Sequence, residues 1–303
     1  MSPRARPQGA AAGYAMVAGS FLLVGLSGTL VTWAHAPESV LIVLRYTIAA
    51  VALFAVFWRR RPLAGVFRRG LWPRLLLMGV LDALTMLAYF YAVRSTSVAI
   101  ASFLLFMQPV WVALLAPRLL RAPTERIVYL ALAIALAGFA VILGPSLGGV
   151  SVSKLGLLVG LASGFTYTFF QLLVKGLTRE VPSITIVVVE VVLDGLLILP
   201  LALWQTAGAG MRLTGRDWVA ALILGLVCTA VAYTLWVDGM ARVRVQHSAI
   251  LGFLTPVAAP VFALVLLGQS IPLWTVLGGA LILAAGALVI VLGSGESEPE
   301  PPL

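Results

Sequence analysis

Ten runs of apolar sequence, each near the length of a bilayer crossing, leave this chain few ways to fold. They lie near residues 12–33, 39–58, 73–93, 98–117, 126–144, 155–175, 183–204, 218–237, 246–267 and 273–292, separated by short charged stretches. A helix crosses the hydrocarbon core with about 20 residues. In lipid the backbone must satisfy its own hydrogen bonds, so a spanning segment is a helix or part of a closed barrel. A barrel strand needs only about ten residues of alternating polarity. These runs are continuous and about twice that length, so helices are expected. With 61% hydrophobic and 10% charged residues in a chain of 303, no water-soluble fold could hide the apolar surface. The expected fold is an all-α integral membrane protein of about ten transmembrane helices.

The remaining charges are ordered. With the N-terminus in the cytoplasm, fifteen of the twenty Lys and Arg fall in cytoplasmic segments and four in outer loops, with Arg45 inside a span. Basic residues mark the cytoplasmic side. Both termini are therefore expected there, in a multi-pass protein of the cell (inner) membrane. Topology accounts for the net charge of +9, and nucleic acid is not an expected partner. Arg4 and Arg6 precede an apolar run ending Ala34-His35-Ala36, which imitates a signal peptide. The run is longer than a signal core of about 7–15 residues, so it is read as a retained span. Cys228 is the only cysteine, and His35 and His247 are far apart, so no Cys-based or His-pair metal site is read. Residues 1–11 read as a cytoplasmic tail. Residues 293–303, with Glu296, Glu298 and Glu300 among prolines, read as a disordered acidic end.

The chain also repeats itself. SVAIASFLLFMQP at 97–109 aligns with RVQHSAILGFLTP at 244–256, and each follows an aromatic segment, AYFYAV at 88–93 or AYTLWV at 232–237. IALAGFAVILG at 134–144 resembles the end of LILAAGALVIVLG at 281–293, and Pro37 and Pro182 open the second span of each half. Residues 12–144 and 155–292 thus form two five-span repeats joined by a linker at 145–154. Five is odd, so the second repeat is expected to be inverted, as in secondary transporters with a midplane site.

At these residues the sequence resembles the drug/metabolite transporter superfamily, of the type with two EamA domains, from about Gly13 to Gly293. Pro37 with Arg45 resembles its second helix, and Tyr89, Ala92 and Pro109-Val110 its third and fourth. Tyr233, Trp236, Pro256-Val257 and Leu266-Leu267-Gly268 resemble the second copy. The resemblance implies a ten-helix transporter and leaves the substrate open: amino acids, their analogues, other metabolites and drugs all fit. One departure stands out. The family commonly has Gly-Glu at the ends of the fourth and ninth helices. Here the second copy reads Gly268-Gln269, and the first has Arg121 at the matching place, with Glu125 four residues later.

Ionisable groups within spans are costly and usually face a cavity or a partner. Arg45, Asp82, Glu190, Asp194 and Asp238 qualify. Arg45 and Glu190 each follow the opening proline of their repeat by eight residues. From the helical rise, inversion would set each about 10 Å below opposite faces. Asp194, one turn beyond Glu190, lies nearer the midplane, so an Arg45–Asp194 pair, or a substrate bridging the two, is expected. The competing reading is a permanent structural salt bridge. Asp82 has no local partner and is a candidate proton carrier, since a carboxyl in an apolar medium gains from being neutral; a helix contact is the alternative. Asp238 reads as a helix-end pair with Arg242.

Gln108-Pro109 and Thr255-Pro256 read as mid-helix kinks that turn polar groups toward a cavity. Tyr167 and Gln171 are one turn apart, and Tyr89, Tyr91 and Trp236 are candidate cavity walls. Gly156, Gly160 and Gly164 form a ridge for close helix approach.

There is no G-x-x-x-x-G-K-[ST], H-E-x-x-H or G-x-S-x-G, so neither an ATP-driven pump nor a hydrolase of those types is supported. A Mg²⁺-dependent intramembrane enzyme built on Glu190 and Asp194 matches poorly, since both lie deep in one helix. The expected function is secondary active transport, by export, of a small polar metabolite by alternating access, without a cofactor and with the proton as candidate coupling ion. An uncoupled uniporter or exchanger, or a lipid-type translocator, is the alternative. Membrane lipids surround the chain. A monomer can enclose its own site, and a dimer is compatible with it.

Overall fold

A computed structural model of the chain describes residues 9–60, 66–67, 70–96, 98–120, 124–144, 153–207 and 213–293. The described residues form helices and no strand. The first half holds α1 (Ala10–Trp33), α2 (Glu38–Phe57), α3 (Trp72–Ser95), α4 (Val98–Leu105), α5 (Gln108–Leu119) and α6 (Arg126–Leu143). The second holds α7 (Lys154–Leu177), α8 (Ser183–Thr206), α9 (Gly215–Gly225), α10 (Ala232–Met240), α11 (Val245–Leu251), α12 (Leu254–Leu267) and α13 (Leu273–Leu292). Among the described residues, nine segments are long and apolar enough to cross a membrane. The tenth expected span, near 98–117, is divided between α4 and α5. Arg121, residues 1–8, most of the linker and residues 294–303 lie outside the described residues.

That division corrects one expectation. Pro109 and Pro256 do not kink continuous helices. The chain turns at Phe106-Met107 and again at Gly252-Phe253, and each proline stands in the first turn of the helix that follows. There its missing N–H costs little, because first-turn N–H groups have no partner within the helix. Elsewhere the ends follow local chemistry. Pro37, Pro182 and Pro272 stand at N-caps. Gly268, at φ 66°, ends α12, and the Gln269 N–H returns to the Ala263 carbonyl at 3.3 Å. This cap needs glycine at 268 and nothing from the side chain at 269.

Packing is exchanged between the halves. The first helix of one half lies against the third and fourth spans of the other: α1 against α10 and α12, α7 against α3 and α4. The second spans, α2 and α8, pack on each other, and so do the fifth, α6 and α13. At the last crossing the backbones nearly touch: a Cβ on Gly138 would lie 2.6 Å from the Gly278 carbonyl. Gly164 of the glycine ridge does the same at the end of α4, where a Cβ would lie 2.6 Å from the Leu104 carbonyl. Small residues permit such approach, which dispersion rewards in lipid.

Contacts fix the directions. Tyr14 meets His247 and Phe21 meets Thr255, so α1 runs parallel to α11 and α12. Ser95, ending α3, meets Ser153, and Arg74 near its start bridges Glu180 just past α7 at 2.6 Å, so those helices are antiparallel. We call the end where α1, α6 and α11 begin the near face, and the opposite end the far face.

At the far face Asp217 ties two loops. Its Oδ2 accepts the Thr214 N–H at 2.7 Å in a capping box, and its Oδ1 accepts the His35 and Ala36 N–H groups at 2.7 and 2.8 Å. Asp217→Ala leaves these donors unsatisfied, so a lower melting temperature in a thermal-shift measurement is expected, with Asp217→Asn intermediate.

Candidate functional site

The site is built where α2, α3, α8 and the α9–α10 segment converge. Arg45 projects from α2. Its Nε donates to Thr229 Oγ1 and its Nη2 to the Tyr233 hydroxyl, each at 3.0 Å. Its guanidinium also lies 5.0 Å from the Tyr46 ring centroid and 5.9 Å from that of Tyr233. Tyr233 is presented by the first turn of α10, and Thr229 by a π-helical stretch, Leu226–Val231, between α9 and α10. Such wide turns recur at functional sites. Here Thr229 bonds back to the Leu224 carbonyl at 2.8 Å, five residues earlier.

The carboxylates gather separately. Asp82 of α3 and Glu190 and Asp194 of α8 each bring one oxygen to within 4.8 Å of the others. Their exposures are 4%, 2% and 0%. Oε2 of Glu190 is buried without a hydrogen-bond partner, and the buried Asp194 carboxylate lies within hydrogen-bonding reach of the Asp82 and Tyr46 side chains. The expected Arg45–Asp194 ion pair is absent, since Arg45 is turned toward Thr229 and Tyr233. Asp82, which lacks a partner on its own helix, finds its neighbours in the other half.

The two groupings occupy matching repeat positions. Glu190 stands 145 residues after Arg45, and Thr229 147 after Asp82. One pair sets a guanidinium against a hydroxyl and its repeat-related counterpart sets carboxylate against carboxylate, each pair drawing one residue from each half.

Between the halves, Gln108 Nε2 donates to Gln171 Oε1, and Thr168 Oγ1 donates to the Gln108 carbonyl at 3.3 Å. Tyr167, Phe170 and Trp236 form a stacked series, with centroid spacings of 5.7 and 5.8 Å. Tyr91, a candidate wall in the sequence, is 44% exposed and does not line the cavity beside Tyr89. Asp238 makes no ion pair with Arg242, whose Nη1 lies 3.2 Å from Met16 Sδ.

A cavity of about 700 Å³ opens at the far face. Thr29, Tyr89, Ser102, Thr255 and Gln269 give it polar groups, and Phe106 lies in its wall. Among the described residues no acidic or basic side chain lines it. Tyr89 donates to or accepts from Ser102 Oγ at 3.1 Å, and Thr255 Oγ1 donates to the Phe21 carbonyl at 3.1 Å. Asp82 lies two turns below Tyr89 on α3, about 10 Å deeper along that helix.

Sequence reasoning missed Phe106 and Phe253. They stand in the two breaks and meet at 5.9 Å, with Phe139 at 5.2 and 5.7 Å from them. The signal was in the aligned strings, where both phenylalanines stand three residues before the proline.

The near face is shut by polar contacts between the halves. Arg244 Nε lies 3.1 Å from Glu125 Oε1, and His247 Nε2 3.8 Å from Glu125 Oε2. The Tyr14 hydroxyl lies 2.6 Å from His247 Nδ1. Within the second half, Lys175 Nζ donates to the Met240 and Val243 carbonyls, both at 2.7 Å.

Paired apolar halves, buried charge between them and a cavity open at one end define a polytopic membrane protein of the transporter class. The chain matches the EamA-like transporter family over residues 11–144 and 154–292, and it belongs to that family. It is 32% identical over 217 residues to an uncharacterized transporter of Archaeoglobus fulgidus, covering 71% of this chain and 75% of the relative. It is 26% identical over 247 residues to the uncharacterized transporter YwfM of Bacillus subtilis, covering 81% of each. With the uncharacterized inner membrane transporter YicL of Salmonella typhimurium it shares 25% over 217 residues, 71% of this chain and 72% of the relative. One solved crystal structure, 20% identical, superposes with a TM-score of 0.78 over 92% of this chain and 96% of its own, which speaks to the fold alone.

Proposed function

We propose that this chain is a secondary active exporter of a small polar metabolite, an amino acid or related compound or a drug, working by alternating access across the cytoplasmic membrane. The observation that carries this reading is the far-face cavity set above a cluster of buried carboxylates, with a near face closed by contacts between the halves. The excess of basic residues makes the near face cytoplasmic, with both termini there. Two five-span halves with exchanged packing suit an inverted repeat, whose rocking would open the near face as the far one closes. The polar groups of the cavity bind substrate, and the carboxylates take the coupling cation.

The test is a metabolite comparison. Cells overexpressing the protein are compared with empty-vector cells, and medium and cytoplasm are profiled at two pH values. One compound class is expected to move from cytoplasm to medium only in the overexpressing cells. An abundant, folded protein that moves no compound outward would sink the export reading.

A further inference from the structure

We infer that the far-face cavity binds an uncharged molecule that carries an aromatic ring and an amide or hydroxyl group. The inference deepens the transporter reading by naming the substrate class, and it rests on that reading only for the ligand's passage across the membrane.

Three observations carry it. The first is depth. Gln269 and Thr275 stand at the mouth of the cavity, and Thr255 and Pro256 at its floor. From Pro256 to Leu267 the helix rises about 16 Å, which is about half of the hydrocarbon core. Gly28 keeps the wall open, since a Cβ there would meet no atom within 4 Å. A ligand on the floor has left bulk water behind.

The second is the kind of polar group that meets it. Thr29 lines the cavity and is 5% exposed, and its hydroxyl makes no hydrogen bond among the described residues. The Gln269 amide and the Thr275 hydroxyl are in the same condition at the mouth. Thr32 and Thr255 donate to the Gly28 and Phe21 carbonyls, which leaves their oxygens free to accept. All of these groups are neutral. A charged group carried to the floor would lose its water and gain no counter-charge, which is costly. A neutral amide or hydroxyl exchanges its water for these partners at little cost. The buried carboxylates do not change the balance. They lie outside the lining, with Asp82 about 10 Å deeper than Tyr89 along α3.

The third is the apolar surface. Phe106 stands in the wall at the break between α4 and α5, with Phe139 and Phe253 at 5.2 and 5.9 Å behind it. Pro256 and Pro260 supply apolar surface from the second half. A ring held against Phe106 gains pairing energy beyond its buried area. The ligand therefore sets its ring deep and its polar group toward Thr29 and the mouth.

The test uses the purified full-length protein in detergent, in a Cys228→Ala background with Ala259→Cys in the cavity wall. Protection of that cysteine from a maleimide is titrated at about pH 6, where an α-amino group is protonated. The probes are N-acetyl-L-phenylalaninamide, which is uncharged, N-acetyl-L-phenylalanine, an anion, L-phenylalaninamide, a cation, and L-phenylalanine, a zwitterion. N-acetyl-L-alaninamide is the uncharged probe without a ring. The uncharged aromatic probe is expected to protect at a concentration at least about tenfold below any other, a difference of about 1.4 kcal/mol. Thr29→Val is expected to raise its half-protecting concentration at least about fivefold. Gln269→Glu, at the exposed mouth, is expected to improve protection by L-phenylalaninamide at least about tenfold, and this gain keeps the test decisive if Thr29→Val does not fold. No protection by the uncharged aromatic probe, equal protection by a charged or ringless one, unchanged affinity in folded Thr29→Val, or no gain for the cation in Gln269→Glu would each overturn the assignment. Export of a charged compound by a protein that the uncharged probe does not protect refutes this inference alone. Protection by that probe in a protein that moves no compound refutes the transporter reading alone.

Discussion

Asp194→Asn is expected to abolish export while leaving the protein as stable as before, or more so. The substitution keeps size and shape and removes one negative charge. Its side-chain neighbours, Asp82 and Tyr46, can each hydrogen-bond an amide as well as a carboxylate, so no native contact need be lost. A buried charge without a counter-ion is a cost, and its neutralisation relieves that cost. Were Asp194 instead half of a permanent salt bridge, its removal would cost about 3–5 kcal/mol, which would show as a large fall in melting temperature. Export and thermal stability, measured on one preparation, separate the two cases. Lost export with an unchanged or raised melting temperature is the expected result. Loss of both together would make the residue a structural one.

Glu125→Gln is expected to loosen the near face. Glu125 is the acidic partner of both Arg244 and His247 in α11, and it stands at the entrance to α6. The amide removes the charge that holds the Arg244 guanidinium and leaves a hydrogen-bonding group of the same size. The Arg244 and Glu125 side chains are 11% and 21% exposed, so solvent screens the pair in part and the effect falls below that of a dry ion pair. A loss of about 1.4 kcal/mol from the closed state alone raises the open population about tenfold. The readout is labelling of a cysteine at Ser248, buried in the closed near face, by a maleimide in a Cys228→Ala background. Labelling at least about tenfold faster in Glu125→Gln is expected. An unchanged rate would show that the contact does not hold the face shut.

The helices were legible because the bilayer demands long apolar runs, and the repeat because matching segments kept their text. Arg45 and Glu190 could be paired by position, but not given their partners. Depth along a helix follows from counting residues. Which way a side chain points across the bundle depends on rotation about the helix axis and on neighbours far off in sequence. Arg45 and Asp194 are near in height, yet Arg45 is turned toward α9 and α10. The carboxylate group was hidden for the same reason, since Asp82 belongs to one half and its neighbours to the other. The π-helical stretch at 226–231 has no proline or glycine within it to announce it. The breaks at 106–107 and 252–253 lie just before prolines, and without coordinates a kinked helix and an interrupted one read alike.

The crossing of α6 and α13 at Gly138 and Gly278 carries a mechanical implication. Exchanging the two halves turns most contacts into different ones: α1 on α12 becomes α7 on α5. The α6–α13 contact becomes itself, and so does that of α2 and α8. Any motion that swaps the roles of the halves can therefore leave these two seams in register while the others are remade. Backbone-to-backbone contact at Gly138 suits α6 and α13 to act as the fulcrum, and a bulky side chain there would lift the lever off its pivot.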